Sequence, residues 1–156
     1  MTQKHIKILL VDDETQFVDT LAERLGMRGF SAEVAYNGDE ALAKVRKNTP
    51  DVVVLDLRMP GMDGFEVLKQ TKKINPQVQV IILTGHGGDQ EAVIAGRYGA
   101  YSFLRKPADI NSLLKSIRMA YRDKVENTFV AASMAEAGDF ASATEVMAEK
   151  DLLRDE

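Results

Sequence analysis

The chain has 156 residues, of which 45% are hydrophobic and 28% are charged, and its formal net charge is −4. A chain of this length buries roughly 70% of the surface that its unfolded form exposes, so we expect one domain with a genuine hydrophobic core. It contains no cysteine and only two histidines, which excludes disulfides, thiolate zinc sites and histidine-rich metal centres. Its apolar runs are too short for a signal peptide or a membrane span, so we expect a cytoplasmic protein without membrane association.

Short apolar runs alternate with amphipathic stretches along the chain. Three continuous apolar runs predict strands that are buried on both faces, and two less regular runs predict weaker strands. In chain order, the predicted strands are residues 6–11, 32–36, 52–55, 78–83 and 101–104. Apolar residues at helical spacing predict helices at residues 17–25, 40–46, 65–74, 89–97 and from 110 onward.

The order of these elements predicts an α/β domain. Strands that are separated by helices form a parallel sheet, and right-handed crossovers place the helices on both of its faces. Turn residues such as Asn37-Gly38 and Asn75-Pro76 stand between the predicted elements, where they end helices and open strands. We therefore expect a doubly wound parallel sheet of five strands.

Acidic and other polar residues follow four of the predicted strands. Asp12 and Asp13 follow the first strand, Asp56 follows the third, Thr84 the fourth and Lys106 the fifth. The carboxyl ends of the strands form the ligand-binding edge of an open α/β sheet, so these side chains should meet there. Three converging carboxylates repel one another unless a cation joins them, and Mg²⁺ prefers carboxylate oxygens and water. The pattern therefore predicts a Mg²⁺ site.

Two further residues indicate what such a metal would act on. Thr84 offers a hydroxyl donor and Lys106 an ammonium, and these groups suit the equatorial oxygens of a phosphoryl group. Mg²⁺ commonly bridges carboxylates to phosphoryl oxygens. Together the residues predict a site for phosphoryl transfer.

The motifs that carry these residues resemble the receiver domain of two-component response regulators. They are Asp12-Asp13, Asp56 in LDLRMPGMDG, Thr84 in ILTGHG, and Lys106-Pro107. Each motif is weak alone, but their positions at matching strand ends make the set specific. The resemblance covers about residues 5–120 and implies the flavodoxin-like strand order 2-1-3-4-5. It also implies a phosphorylation-activated regulator whose phosphoryl donor is the phosphohistidine of a histidine kinase or phosphotransfer protein.

The resemblance further assigns the metal ligands. It implies that Asp13 and Asp56 bind Mg²⁺ directly and that Asp12 acts mostly through water. The backbone carbonyl of Arg58 would be the third protein ligand. The rest of this loop is expected to form a structural turn, with Asp63 near the start of the next helix.

The same resemblance assigns the catalytic and switch residues. Asp56 would be the nucleophile, while Thr84 and Lys106 would hold the phosphoryl oxygens. Thr84 and Phe103 would form the switch, although Phe103 lacks the hydroxyl that a tyrosine would offer. The resemblance also implies a cis Lys106-Pro107 bond. Such a domain is a signalling switch rather than an enzyme, because it catalyses only its own phosphorylation and slow dephosphorylation.

Other interpretations of the acids remain open. Asp12 or Asp13 could cap the first helix, where acids favour the helix dipole. A second candidate function is a Mg²⁺-dependent hydrolase with an aspartyl-phosphate intermediate, such as a haloacid-dehalogenase-like phosphatase. That class has a second acid two residues after its nucleophile, whereas Asp56 is followed by Leu57-Arg58. A third is an intermediate of a phosphorelay.

Residues 121–156 differ in charge from the rest of the chain. They hold four basic and nine acidic residues, which gives a net charge of −5, whereas residues 1–120 have a net charge of +1. This acidic charge argues against DNA binding. Apolar spacing continues past residue 120 until Gly138-Asp139 interrupts it, which predicts a C-terminal helical hairpin. We thus expect a receiver domain over 1–120 and an acidic helical extension over 121–156 without a DNA-binding domain.

The position of the extension predicts its role. The fifth helix belongs to the surface that the receiver family uses for output, so the extension is placed to carry the signal. Its apolar stripe needs a cover, and the candidates are the receiver itself, a second copy in a homodimer, or an unidentified output protein. We expect output through a contact between proteins and no nucleic-acid partner.

Overall fold

A computed structural model of the chain describes residues 5–136. Strands and helices alternate throughout this part of the chain. The strands are β1 Ile8–Val11, β2 Ala32–Ala35, β3 Val52–Leu55, β4 Gln79–Thr84 and β5 Ser102–Arg105. The helices are α1 Thr15–Met27, α2 Gly38–Lys47, α3 Gly64–Ile74, α4 Asp89–Arg97 and α5 Ile110–Glu136. The five strands and the five helices that were predicted before Gly138 are present, and their predicted ends differ from the observed ones by at most two residues.

The five strands form one parallel sheet in the order β2-β1-β3-β4-β5. The predicted doubly wound, flavodoxin-like architecture is therefore confirmed. The chain leaves β1 for β2 on one side and then crosses to β3 on the other, so the order reverses between β1 and β3. A crevice forms at such a reversal, outside the carboxyl ends of the two strands.

Hydrophobic cores cover both faces of the sheet. Alternate side chains of β1, β3 and β4 point to opposite faces, and all three strands are buried throughout, as their apolar runs predicted. One core contains Val53 and Ile82 and packs against α2 and α3. The other contains Leu10 and Val54 and packs against α1 and α5. The helices thus hold the sheet edge that carries the polar residues in a fixed frame.

Helix α5 stays attached to the domain well beyond residue 120. Polar contacts join its middle turns to the amino ends of the strands: Gln79 Nε2 donates to the carbonyl of Ala120 at 3.1 Å, Tyr101 Oη donates to Asp123 at 2.6 Å, and Lys124 pairs with Asp51. The predicted continuation of this helix is confirmed as far as Glu136. The second arm of the predicted hairpin, after Gly138, lies outside the described residues. Across residues 5–136, no helix combines the length and apolar character that a membrane crossing requires.

The start of α3 packs directly on the loop that carries Asp56. The Asp63 side chain caps this helix by accepting a hydrogen bond from the amide of Glu66 at 2.9 Å, as its position predicted. A Cβ atom on Gly64 would lie 2.3 Å from the carbonyl oxygen of Asp56 and 2.5 Å from Cα of Leu57. Only glycine permits this approach, so Gly64 helps to fix the backbone of the acidic loop.

We predict that Gly64→Ala destabilises the protein by about 1–3 kcal/mol, because the added methyl overpacks rigid backbone. Urea denaturation measures the change. Gly26→Ala in α1 is the matched control, since a Cβ there meets nothing within 4 Å and alanine should stabilise the helix by up to about 1 kcal/mol. Equal stability of Gly64→Ala and wild type would contradict the packing argument.

Candidate functional site

The sheet brings the predicted polar residues to one edge. Backbone hydrogen bonds continue one residue beyond the strands: the amide of Asp12 donates to the carbonyl of Ala35 at 3.1 Å, and that of Asp56 to Val11 at 3.0 Å. The amide of Lys106 likewise donates to the carbonyl of Thr84 at 2.9 Å. The side chains that follow β1, β3 and β5 are therefore positioned by the sheet rather than by independent loops.

Three carboxylates converge at this edge. Asp12, Asp13 and Asp56 each offer a carboxylate oxygen, and these atoms lie within 4.8 Å of one another. Asp12 and Asp56 are only 3% and 2% exposed, whereas Asp13 is half-buried and opens the cluster to solvent. Buried carboxylates at this spacing repel unless a cation joins them. Their hard oxygen donors, open on one side to water, fit a metal such as Mg²⁺ that keeps several water ligands.

Lys106 provides positive charge beside the cluster. Its Nζ lies 2.6 Å from Asp12 Oδ2, 3.1 Å from Glu14 Oε1 and 3.7 Å from Asp56 Oδ2. Burial disfavours the ammonium, but its hydrogen bonds to Asp12 and Glu14 outweigh that effect and raise the pKa of Lys106 above its ordinary value. The residue therefore stays protonated at neutral pH. The contact with Glu14 was not predicted, although the acidic run that follows β1 contains this residue.

Burial also governs the charge of Asp12. Loss of hydration raises the pKa of this carboxyl, the charge of Asp56 raises it further, and the hydrogen bonds from Lys106 and the Glu14 amide offset this only in part. The folded protein thus holds a proton on Asp12 more readily than the unfolded chain does. In the metal-free protein this group makes stability fall as pH rises from the ordinary carboxyl range through the raised pKa.

Capping does not explain the acids that follow β1. The N-cap of α1 is Glu14, and no side chain caps this helix end. Asp12 Oδ1 accepts a hydrogen bond from the amide of Glu14 at 2.9 Å, which fixes the local turn and leaves Oδ2 for Lys106. The interpretation of Asp12 or Asp13 as a helix cap is therefore wrong.

The remaining predicted residues lie at the end of β4 and in the loops that follow β3 and β5. Thr84 is 1% exposed, and its Oγ1 accepts a hydrogen bond from the amide of His86 at 3.2 Å. Arg58 has an exposed side chain, and its amide points to Asp56 Oδ1 over a long 3.5 Å. The Lys106-Pro107 bond is cis, as the resemblance implied.

Phe103 and Gly85 lie beside these residues. Phe103 is half-buried and packs against the core between the sheet and the helices α2 and α3. Gly85 is exposed, and a Cβ there would come no closer than 3.9 Å to Lys106. The mouth of the site is therefore open where a larger side chain would fit without strain.

A groove of about 550 Å³ opens beside the loop that carries Asp56. It is formed by the loop after β3 and by the loop that leads into α4. Its lining residues include Leu57, Arg58, Met59, Phe65, His86 and Glu91. The groove is large enough for a small molecule or a side chain of another protein to approach this edge of the sheet.

Residues 8–118 match the family described as the response regulator receiver domain. The chain belongs to this family. Transcriptional regulatory protein GlrR of Escherichia coli is 39% identical over 117 residues, which are 75% of this chain and 26% of that protein. The DNA-binding transcriptional regulator NtrC of Salmonella typhimurium is 39% identical over 113 residues, which are 72% of this chain and 24% of that protein. The chain thus spans about a quarter of the length of these relatives.

Solved receiver domains share the fold. The receiver domain of a Clostridium thermocellum response regulator has a TM-score of 0.72 at 36% identity and covers 76% of this chain and 96% of its own. The receiver domain of NtrX from Brucella abortus has a TM-score of 0.70 at 36% identity and covers 74% and 98%. These matches agree with the family assignment and with the strand order.

The relatives contradict one prediction about partners. We expected no nucleic-acid partner from the acidic charge of residues 121–156, but NtrC is named a DNA-binding regulator and GlrR, ZraR and DctD are named transcriptional regulators. The charge argument failed because a segment's charge reports only on that segment. About three quarters of each relative lies outside the part that the receiver domain matches.

We predict that Mg²⁺ stabilises this receiver domain through the acidic cluster. At a concentration one hundred times its Kd, a ligand that binds only the folded state adds about 2.7 kcal/mol to the free energy of unfolding. Asp13→Asn should remove most of this gain. Asp39→Asn, which changes an acid in the first turn of α2, should keep it. Urea denaturation with Mg²⁺ and with chelator measures both, and equal Mg²⁺ stabilisation of Asp13→Asn and wild type would exclude the cluster as the site.

Proposed function

We propose that this receiver domain accepts a phosphoryl group on Asp56 in a Mg²⁺-dependent reaction. The donor is the phosphohistidine of a histidine kinase or of a phosphotransfer protein. The observation that carries the proposal is the setting of Asp56, whose carboxylate is 2% exposed, is clustered with Asp12 and Asp13, and lies 3.7 Å from the ammonium of Lys106. A nucleophile, a metal-binding set and a fixed cation are the parts that phosphoryl transfer requires.

The transfer is a direct displacement. A carboxylate oxygen of Asp56 forms a bond to phosphorus while the bond from phosphorus to the histidine nitrogen breaks, and the imidazole leaves with that electron pair. Lys106 attracts the equatorial phosphoryl oxygens, and the Thr84 hydroxyl donates to another of them. The protein contributes position and charge rather than further covalent chemistry.

The metal ligands in this proposal are Asp13, Asp56 and the carbonyl of Arg58, with Asp12 acting through water. When bound, Mg²⁺ supplies positive charge beside the transferring oxygens. The same residues and water would support slow self-dephosphorylation. Arg58 stands where the haloacid-dehalogenase-like phosphatases have their second acid, so we prefer a switch to an independent hydrolase.

Phosphorylation by acetyl phosphate tests the acceptor. Wild type should gain one phosphoryl group only with Mg²⁺, and Asp56→Asn should gain none, because an amide is neither an effective nucleophile nor an anionic ligand. Asp63→Asn is the matched control, since it lies in the same loop and asparagine can still cap α3. Intact-mass spectrometry detects the adduct. Labelling of Asp56→Asn, or equal labelling of wild type in excess chelator, would refute the proposal.

Thr84 and Phe103 form the switch in this proposal. Thr84 is buried at the end of β4, next to the strand that Asp56 follows. In the proposed switch it moves toward the new phosphoryl oxygens, and Phe103 turns into the space that Thr84 leaves. Phe103 is only half-buried against the core, so it has room for an alternative position. Phosphorylation then shifts the population between two arrangements of α4, β5 and α5.

Helix α5 carries the signal away from the site. Tyr101, next to the first residue of β5, bonds to Asp123, and Ser102 bonds to Ser116 at 2.7 Å, so a shift of β5 reaches the helix directly. Beyond these contacts Val125 and Phe129 are 48% and 72% exposed and offer an apolar surface to another protein. We propose that residues 121–156 form an acidic helical extension of the receiver domain. We also propose that the contact made by this surface serves regulation of transcription, the role that is named for the relatives.

Fluoroberyllate, a phosphoryl mimic, tests the switch and its path together. It should shift the amide resonances of β5 and of α5 as far as residues 125–129 in wild type. Thr84→Ala should retain shifts around Asp56 but lose those in α5, because the hydroxyl that couples the mimic to Phe103 is missing. The control is Thr49→Ala, which removes a hydroxyl from a different loop, the one that follows α2. Identical α5 responses in Thr84→Ala and wild type would exclude this coupling.

A further inference from the structure

An aromatic ring from α1 lies against the Lys106 ammonium. Nζ of Lys106 is 4.2 Å from the centroid of the Phe17 ring. This distance is within the range of a cation–π contact, in which the negative face of the ring attracts a positive charge. The two residues are brought together by the fold, since α1 packs on the sheet face opposite α2 and α3.

The same ring also borders the acidic cluster. Phe17, Asp12 and Asp56 line a cavity of about 10 Å³ beneath the site, which is the lower limit of the volume that one water molecule needs. Phe17 itself is half-buried and packs against the core that α1 and α5 cover. The ring therefore closes the apolar side of the site and limits the access of water to Lys106 from that side.

Some contacts of Lys106 use one of its three N–H donors in a directed hydrogen bond, and one contact does not. Asp12 at 2.6 Å and Glu14 at 3.1 Å each accept a directed hydrogen bond. The ring face attracts the charge as a whole, so it can hold the ammonium without occupying a carboxylate-directed donor. It also tolerates a small shift of Nζ, whereas a directed bond does not.

We propose that Phe17 is a positioning residue for phosphoryl transfer: its ring face holds the Lys106 ammonium beside Asp56. This inference rests on the proposed function. During transfer the ammonium must turn from Asp12, its shortest contact, toward the phosphoryl oxygens on Asp56. Oδ2 of Asp56 itself lies 3.7 Å from Nζ. The ring keeps the charge over the site during that exchange.

Graded weakening of the negative potential on the ring face tests the proposal. We would replace Phe17 in the full chain with phenylalanine carrying one, two or three ring fluorines, which withdraw electron density from the ring face and change its size little. The rate of phosphorylation by acetyl phosphate at saturating Mg²⁺ should fall with each fluorine, to roughly a tenth of wild type for the trifluoro form. Phe17→Trp should keep or raise the rate, and Phe17→Leu should lower it.

Phe30 provides a matched control. It is 3% exposed, and its ring lies 5.6 Å from the guanidinium carbon of Arg118, so it is another ring beside a cation. Fluorination of Phe30 should leave the rate unchanged. Urea denaturation confirms that each variant is folded, and the Nζ resonance of Lys106 should move along the Phe17 series only.

The outcomes separate this proposal from the one on which it rests. Absence of any adduct on wild-type Asp56 would refute the proposed function. If wild type is phosphorylated normally and all folded Phe17 variants react at the same rate, the role of Phe17 is refuted and the proposed function is not. A decline of equal size in the Phe30 series would also refute it, because the effect would then be one of general packing.

Discussion

The central constraint on this structure is that three carboxylates are held together at one edge of a sheet. Asp12, Asp13 and Asp56 converge within 4.8 Å, and two of them are almost fully buried. Such a cluster costs free energy, because buried charges lose hydration and repel one another. Lys106 offsets part of that cost through its contacts with Asp12 and Asp56. The negative charge that remains uncompensated favours binding of a further cation.

The rest of the domain can be understood as the frame for this cluster. Cores on both faces of the sheet fix the strand ends, and the close approach of Gly64 to the backbone of Asp56 fixes the loop that carries this residue. Polar contacts at the opposite ends of the strands bind the middle turns of α5 to the same rigid body. The contacts of Tyr101 and Ser102 with α5 also connect β5 directly to this helix.

The relatives show how far an argument from charge extends. Acidic charge on residues 121–156 disfavours contact of that segment with DNA, because like charges repel. It says nothing about the partners of a whole regulator, and relatives named as DNA-binding regulators share the receiver domain. The charge of a segment therefore limits only the contacts of that segment.

Local patterns in the sequence were enough to predict the elements, the parallel sheet and the polar residues at its edge. Apolar runs that are buried on both faces have few structural alternatives, and the residues that follow parallel strands must meet at one edge. Asp12, Asp56, Thr84 and Lys106 could therefore be placed without coordinates. The order of the strands came from family resemblance, because periodicity does not specify which strands are neighbours.

The side chains that contact the site and α5 from outside these strand ends could be identified only from the packing of the folded chain. Phe17 lies on a helix whose apolar spacing indicates burial, and nothing in that spacing indicates that its ring faces Lys106. The contacts of Lys124 with Asp51 and of Tyr101 with Asp123 likewise join residues that are far apart in the chain. Local patterns record which face of an element is buried. The partner across that face is fixed by how the helices pack on the sheet, and this depends on the whole chain at once.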